Sequence, residues 1–133
     1  VTSLGTKNLG DKVNLERSLK LGDELGGHML SGHIMGTGAI SSVEKNNDAL
    51  SIKISTSETI MKYINPKGYV AIDGISLTIG EVDTDSFYIH LIPETTRLTT
   101  IGFRESGDLV NIEIDSMTQT IVSTVERIME AKK

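Results

Sequence analysis

The chain has 133 residues, enough for one domain that buries roughly two thirds of its unfolded surface around a single core. Its formal charge of −5 and its five aromatic residues, none of them Trp, argue against a nucleic-acid groove, which needs a basic track and stacking platforms. The absence of cysteine excludes disulfides and thiolate metal sites. Since the chain shows neither a signal-peptide pattern nor an apolar run near the roughly 20 residues of a membrane span, we expect a cytoplasmic location.

The two ends of the chain carry the same motif. Shifted by 97 residues, Val1–Glu16 aligns without a gap to Leu98–Glu113. The identical pairs are Thr2/Thr99, Gly5/Gly102, Gly10/Gly107, Asp11/Asp108, Val13/Val110, Asn14/Asn111 and Glu16/Glu113. Such a self-match is typical of tandem duplication. We therefore predict that residues 1–18 are the closing segment of a missing N-terminal unit, and that residues 19–115 form a complete second unit.

Alternation of apolar and polar residues predicts an all-β domain. The predicted strands are Lys12–Glu16, Met29–Ile40, Ala49–Ser55, Tyr69–Ile72, Ile75–Val82, Ser86–Ile92 and Asp108–Ile114. Asp73 and Gly74 suit a two-residue hairpin, because both positions of a type I′ turn need positive φ. Further turns are predicted at residues 46–48, 66–68 and 83–85. Short strands of this kind favour a small antiparallel Greek-key barrel, closed or nearly closed.

Two segments change to a helical period. Ser57–Ile64 could form two helical turns, and Thr118–Ala131 a longer amphipathic helix. Its apolar stripe consists of Ile121, Val122, Val125, Ile128 and Met129. Ser116 and Gln119 fit a capping box at its start. The stripe could pack either on its own barrel or on partner helices, and the pattern does not decide between them.

Gly26–Gly38 is the densest cluster of glycine and histidine in the chain. Glycines in a strand allow another backbone or a flat ligand to approach closely, but the pattern alone favours a bulged barrel strand. His28 and His33 are five residues apart, which places them on opposite faces of a strand and well apart on a helix. We therefore predict no metal site here.

Three other places could carry chemistry. In Ile75–Ile79 the hydroxyls of Ser76 and Thr78 share one face, which lies outside the barrel if the apolar face fills it. In His90–Thr95, Pro93 must sit at a strand edge or end and could leave main-chain groups free for a heterocycle. Asp115 stands at the start of the last helix, where either it or Ser116 could be the N-cap. Alternatively, Asp115 is a functional carboxylate, whose ionised form the helix dipole favours. Phosphate-cradling glycine loops, cysteine nucleophiles and Gly-x-Ser-x-Gly elbows are absent.

Taken together, VNLERSLKLGDELGGHMLSGHIMGTG, KGYVAIDGISLTIGEV, HLIPETT and VNIEIDSMTQT resemble the C-terminal lumazine-binding domain of the riboflavin synthase family. The resemblance implies two similar Greek-key barrels followed by a trimer-forming helix, here residues 116–133. It also implies a transferase reaction without cofactor or metal. Two molecules of 6,7-dimethyl-8-ribityllumazine dismutate to riboflavin and 5-amino-6-ribitylaminouracil, at a site between the first barrel of one subunit and the second barrel of its neighbour.

The resemblance also assigns site residues. Those implied to bind substrate are Gly32, His33, Ile34, Lys67, Ser76, Leu77, Thr78, His90, Leu91, Ile92, Pro93, Glu94 and Thr95. Those implied to serve proton transfer are His33, Ser76, Thr78, Asp115 and His28, without a choice of base. The rival interpretation is a non-catalytic lumazine- or flavin-binding protein. The polar groups kept at motif positions favour the enzyme, and residues 1–133 alone are expected to have little or no activity.

Overall fold

The computed structural model describes every residue from Val1 to Lys133. Its six strands are β1 (Gly36–Asn46), β2 (Ala49–Ser55), β3 (Tyr69–Ile72), β4 (Ile75–Val82), β5 (Ser86–Leu91) and β6 (Leu109–Ile114). Its helices are α1 (Glu58–Met61), α2 (Pro93–Leu98) and α3 (Ser116–Ala131). Two 3-10 helices lie at Ser3–Thr6 and Thr100–Phe103. None of the helices combines the length and apolarity that a membrane crossing requires.

The strands form a closed barrel in the order β1-β2-β5-β4-β3-β6, and all neighbouring strands are antiparallel. Because β2 pairs with β5 beside the meander β3-β4-β5, the connection is a Greek key. The predicted fold class is therefore confirmed. The core is built from alternate inward side chains, and Ile52, Ile89 and Ile112 are fully buried in it.

The predicted hairpin at Asp73 and Gly74 joins β3 to β4, and both residues have positive φ, 49° and 80°. The Asp73 carboxylate is buried at the end of the barrel, where it links the turn to two other parts of the chain. It lies 2.6 Å from a guanidinium nitrogen of Arg104, and it accepts the main-chain N–H of Asn111 at 2.8 Å. The turn is thus connected to β6 and to the segment that precedes β6.

Two predicted strands differ from the structure by more than one residue. Lys12–Glu16 forms no strand, since no neighbouring strand is present to pair with it. The strand predicted at Met29–Ile40 begins only at Gly36 and continues to Asn46, while residues 29–35 are irregular. The sequence pattern ends at Ile40 because an irregularity between Ile40 and Ser42 shifts the register there.

Helix α3 begins two residues before the predicted start. Asp115 is its N-cap and accepts the Thr118 N–H at 3.4 Å, so the predicted capping box of Ser116 and Gln119 is wrong. Of the apolar stripe, only Val122 packs against the barrel core. Its other members, Ile121, Val125, Ile128 and Met129, are each more than half exposed. Polar contacts from Lys62 to Glu126 hold the helix on the barrel from one side.

The sequence repeat is also a structural repeat. The 3-10 helices Ser3–Thr6 and Thr100–Phe103 occupy equivalent positions, and each is capped by a threonine, Thr2 or Thr99. Each copy is followed by a turn with a glycine at φ 95°, Gly10 or Gly107. The repeat therefore preserves conformation as well as sequence.

The two copies also contact one another. Asn14 accepts the Thr100 N–H at 2.8 Å through its side-chain oxygen, and Asn111 accepts the Ser3 N–H at 2.7 Å. Each asparagine thus binds the start of the other copy's 3-10 helix. Val13 and Leu15 do not enter the barrel core and are 46% and 91% exposed. That residues 1–18 close another barrel stays a prediction.

Candidate functional site

The candidate site lies on the outer face of β6, β3 and β4. Their register places Glu113, Ala71 and Ser76 in one row across the three strands. A second row follows from the same register, because Tyr69 pairs with Thr78 and Asp115 lies one residue beyond the Ile114–Val70 pair. Residues 26–34, which we call the site loop, cover the first row, and Ala71 is fully buried beneath it. The second row stays open, with Tyr69 and Thr78 exposed.

His28 and Ser76 form the closest polar pair of this face. The Ser76 hydroxyl oxygen accepts the main-chain N–H of His28 at 2.9 Å and lies 2.6 Å from Nδ1 of its ring. When the neutral ring carries its proton on Nε2, the hydroxyl donates to Nδ1, so a proton can be exchanged between the two side chains. The ring stacks on Tyr69 with centroids 5.0 Å apart, and only 8% of His28 is exposed.

Gly27 allows this pair to form. Its φ of 81° lies in the left-handed region, and a Cβ at this position would stand 2.6 Å from Cβ of Ser76. Any side chain would therefore lift the site loop away from β4. Close approach was one of the two explanations that the sequence offered for the glycine cluster, and it applies at Gly27. A Cβ would also be too close to its neighbours at Gly36 and Gly38.

At the other end of the first row, Glu113 holds the site loop. Its carboxylate accepts hydrogen bonds from Ser31 N at 2.7 Å, Ser31 Oγ at 3.0 Å and Gly32 N at 3.1 and 3.2 Å. Only 4% of Glu113 is exposed. Sequence reasoning did not select Glu113 as a site residue. The signal that could have found it is the identical pair Glu16/Glu113 together with its outward place in the strand alternation.

The structure places the remaining proton-transfer candidates at the edges of this face. His33 is exposed, and its main-chain N–H lies 3.3 Å from the Ser31 hydroxyl. Asp115 is half-buried, and as the cap of α3 its carboxylate also accepts the Thr118 hydroxyl at 3.1 Å. The face thus brings together His28, Ser76, Thr78 and Asp115, with His33 at the end of the site loop.

Among the implied binding residues, Leu77 and Leu91 face the core and are at most 9% exposed, so only their main chains can meet a ligand. Lys67 is exposed and lies beside β4, since its N–H donates to Ile79 O at 2.9 Å. Gly32 and Ile34 belong to the site loop. A groove of about 1080 Å³ separates that loop from residues 12–19, and neither Thr78 nor Lys67 lines it.

The segment after β5 offers main-chain donors. Pro93 is the first residue of α2, and Ile92, the N-cap, is 63% exposed and supplies no side-chain cap. The N–H groups of Glu94 and Thr95 lie in the first helical turn, where helix geometry leaves them without an internal partner. Pro93 thus lies at a strand end, as predicted, and the use of these N–H groups by a heterocycle stays a prediction.

His90 lies farther along the outer face and has partners on both sides. Its Nδ1 is 2.8 Å from the Ser51 hydroxyl, and its Nε2 is 2.7 Å from a Glu81 carboxylate oxygen. The main-chain N–H of Glu81 and then the His90 ring hold the pKa of the Glu81 carboxyl below its usual value. His90 also covers Gly80, so its ring is held against the sheet.

A family model described as lumazine binding domain matches residues 31–115. The riboflavin synthase of Buchnera aphidicola subsp. Schizaphis graminum is 54% identical over 97% of this chain and 62% of that protein. The riboflavin synthase of Escherichia coli K12 is 49% identical over 100% of this chain and 63% of that protein. The chain thus spans about three fifths of the length of these curated relatives.

Solved structures agree with this assignment. LumP complexed with riboflavin is similar with a TM-score of 0.80 and 28% identity, over 86% of this chain and 62% of that one. LumP complexed with 6,7-dimethyl-8-(1'-D-ribityl) lumazine gives a TM-score of 0.74, also at 28% identity, over 84% and 60% of the two chains. Since the matched segment contains all six strands and every row of the outer face, the chain belongs to the lumazine-binding domain family.

Proposed function

We propose that this chain is the second-domain half of a riboflavin synthase. In the proposed reaction, one 6,7-dimethyl-8-ribityllumazine transfers a four-carbon unit to a second one, which yields riboflavin and 5-amino-6-ribitylaminouracil. The observation that carries the proposal is the outer face with His28, Ser76, Thr78 and Asp115, within a chain about half identical to riboflavin synthases over its whole length. A cytoplasmic location is part of the proposal.

The open second row is the position where we propose that the lumazine ring system binds. Thr78 and the exposed Tyr69 would flank the heterocycle, and the free N–H groups at the start of α2 would pair with its carbonyl edge. The His28 and Ser76 pair stands beside this row and can accept or return the proton that a ring methyl group must lose. The enclosure of both rings between two such faces would supply the alignment that the transfer needs.

The alternative is a non-catalytic lumazine- or flavin-binding protein, of which LumP is an example among the similar structures. Identity favours the enzyme, because the synthases match at 49–54% and LumP at 28%. We also propose that α3 assembles the intact protein as a homotrimer, since four of the five residues of its apolar stripe are more than half exposed in this chain. The molecular mass of the intact protein in solution tests that assembly.

Ligand binding tests the proposed position of the ring system. Fluorescence titration of the chain with 6,7-dimethyl-8-ribityllumazine should show binding that Thr78→Ala weakens by about 1 kcal/mol, the size of a neutral hydrogen bond. Ser76→Ala should weaken it similarly. Thr84→Ala is the matched control, because Thr84 is exposed in the turn between β4 and β5. Unchanged affinity in both Thr78→Ala and Ser76→Ala would remove this face from the site.

Turnover tests the half-site argument. Residues 1–133 alone should form little or no riboflavin from the lumazine, because the proposed reaction needs two unlike barrels around a substrate pair. The product is quantified by its fluorescence after chromatography. A trace rate is compatible with the proposal, since two copies of this barrel could meet through their similar faces. A rate equal to that of a full-length riboflavin synthase would contradict it.

A further inference from the structure

We propose that Glu113 is a positioning residue of the ligand site. Its buried carboxylate holds the main chain of Ser31 and Gly32 and thereby places Gly32, His33 and Ile34 against the outer face. This inference rests on the proposed function for the identity of the ligand. It goes beyond that function by assigning a role to a side chain that need not touch substrate.

The carboxylate is committed to the site loop. Four contacts between 2.7 and 3.2 Å reach its two oxygens, and all come from Ser31 and Gly32. None of the five ion pairs in the chain includes Glu113. A buried carboxylate without a cation depends on such donors for its stabilisation. Glu113 therefore has no other interaction in the structure that would explain a charge at this position.

The site loop, in turn, depends on few attachments. It contains no helix or strand, and its other contacts with this face are made by His28 alone, which bonds to Ser76 and stacks on Tyr69. Gly32 has a φ of 85°, and a Cβ there would meet nothing within 4 Å. Glycine is thus required at this position for conformation rather than for space. The turn that it forms directs both of the N–H groups at Ser31 and Gly32 toward the carboxylate.

Ser31 extends the effect of Glu113 to His33. The Ser31 hydroxyl donates to Glu113 at 3.0 Å and lies 3.3 Å from the main-chain N–H of His33. Because its proton is engaged by the carboxylate, the hydroxyl presents a lone pair to that N–H. His33 itself has no side-chain partner, so its placement depends on the main chain that precedes it.

The test uses three variants of the chain. Glu113→Met removes every acceptor at similar size, Glu113→Gln keeps one carbonyl oxygen, and Glu16→Gln is the control at the repeat-equivalent residue, which is exposed. Two quantities are measured at a temperature where circular dichroism shows a folded barrel. They are the hydrogen-exchange protection of the Ser31 and Gly32 amides without ligand, and the Kd for 6,7-dimethyl-8-ribityllumazine.

We expect Glu113→Met to lose the protection of both amides and to raise Kd by about tenfold, as for loss of charge-assisted hydrogen bonds. Glu113→Gln should lie between Glu113→Met and the unmutated chain, and Glu16→Gln should match the unmutated chain. If Glu113→Met does not fold, Ser31→Ala provides the second variant, with an increase of several-fold in Kd. If the Glu113 variants bind the lumazine with the same Kd as the unmutated chain, the positioning role of Glu113 is overturned, but the proposed function is not. If the unmutated chain does not bind the lumazine, the proposed function is overturned. The protection of the Ser31 and Gly32 amides would then still test whether Glu113 holds the site loop.

Discussion

Among single residues, Asp73 links the β3–β4 turn to two other parts of the chain. Its carboxylate binds both Arg104 and the main chain of Asn111, and its side chain is only 7% exposed. Arg104 is 15% exposed, and its Nε has no partner, so the guanidinium depends on Asp73 for its stabilisation. Removal of one member of a buried pair leaves the other charge uncompensated, which costs more than the pair itself contributes.

We therefore predict that Asp73→Ala lowers the free energy of unfolding by about 3 kcal/mol, measured by urea denaturation. Asp73→Asn should lose less, because it keeps an acceptor for Asn111 and tolerates the positive φ. Asp85→Ala is the control, since Asp85 is an exposed aspartate in the turn before β5. An equal loss in Asp73→Ala and Asp85→Ala would show that the buried pair contributes nothing specific.

The direction of side chains within one strand was easier to predict from the sequence than contacts between distant segments. The alternation in Ile75–Ile79 placed Ser76 and Thr78 on the outside, and the structure agrees. The bond between His28 and Ser76 spans 48 positions and depends on an irregular loop with a left-handed glycine. No period in the sequence encodes such a loop. Glu113 was missed for the same reason, because its partners are main-chain N–H groups 82 and 81 positions away.

Among the elements, the strands with a regular period were predicted well. The bounds of β2, β3 and β4 match the sequence prediction, and those of β5 and β6 differ by one residue. Each has one face in the core, so apolar residues must alternate along it. The site loop has no such constraint, because it lies on the barrel rather than within it. Its mixture of apolar residues and glycines was therefore mistaken for the start of a strand.

The short elements after β5 show a second limit of pattern reasoning. Pro93 was correctly interpreted as a strand end, yet α2 and the 3-10 helix that follows were not predicted. With six and four residues, they are too short to show a hydrophobic period. For α3 the apolar stripe was long enough, and of the two N-cap candidates, Asp115 and Ser116, the structure has Asp115. Asp115 acts as the cap because β6 ends at Ile114 and leaves the carboxylate beside the first free N–H groups.

For the whole molecule, the repeat determines how residues 1–16 contact their equivalent segment, residues 98–113. Asn14 and Asn111 are equivalent by sequence, and so are Ser3 and Thr100. The two hydrogen bonds join Asn14 to Thr100 and Asn111 to Ser3, so exchange of the two copies leaves the contact unchanged. Two similar units that face one another through the same surface are related in this way by a local two-fold axis. Residues that are equivalent in the sequence repeat therefore make equivalent contacts in the structure.

This reciprocal arrangement predicts coupling between the two asparagines. Because both hydrogen bonds close the same contact, Asn111→Ala should reduce the hydrogen-exchange protection of Ser3 and also of Thr100, whose own acceptor is Asn14. Each single variant, Asn14→Ala or Asn111→Ala, should lower the free energy of unfolding by about 1 kcal/mol, and the double variant by less than the sum. Asn46→Ala, at the exposed end of β1, should change neither amide. Strict additivity, with each loss of protection confined to the directly bonded amide, would show that the two contacts are independent despite their symmetry.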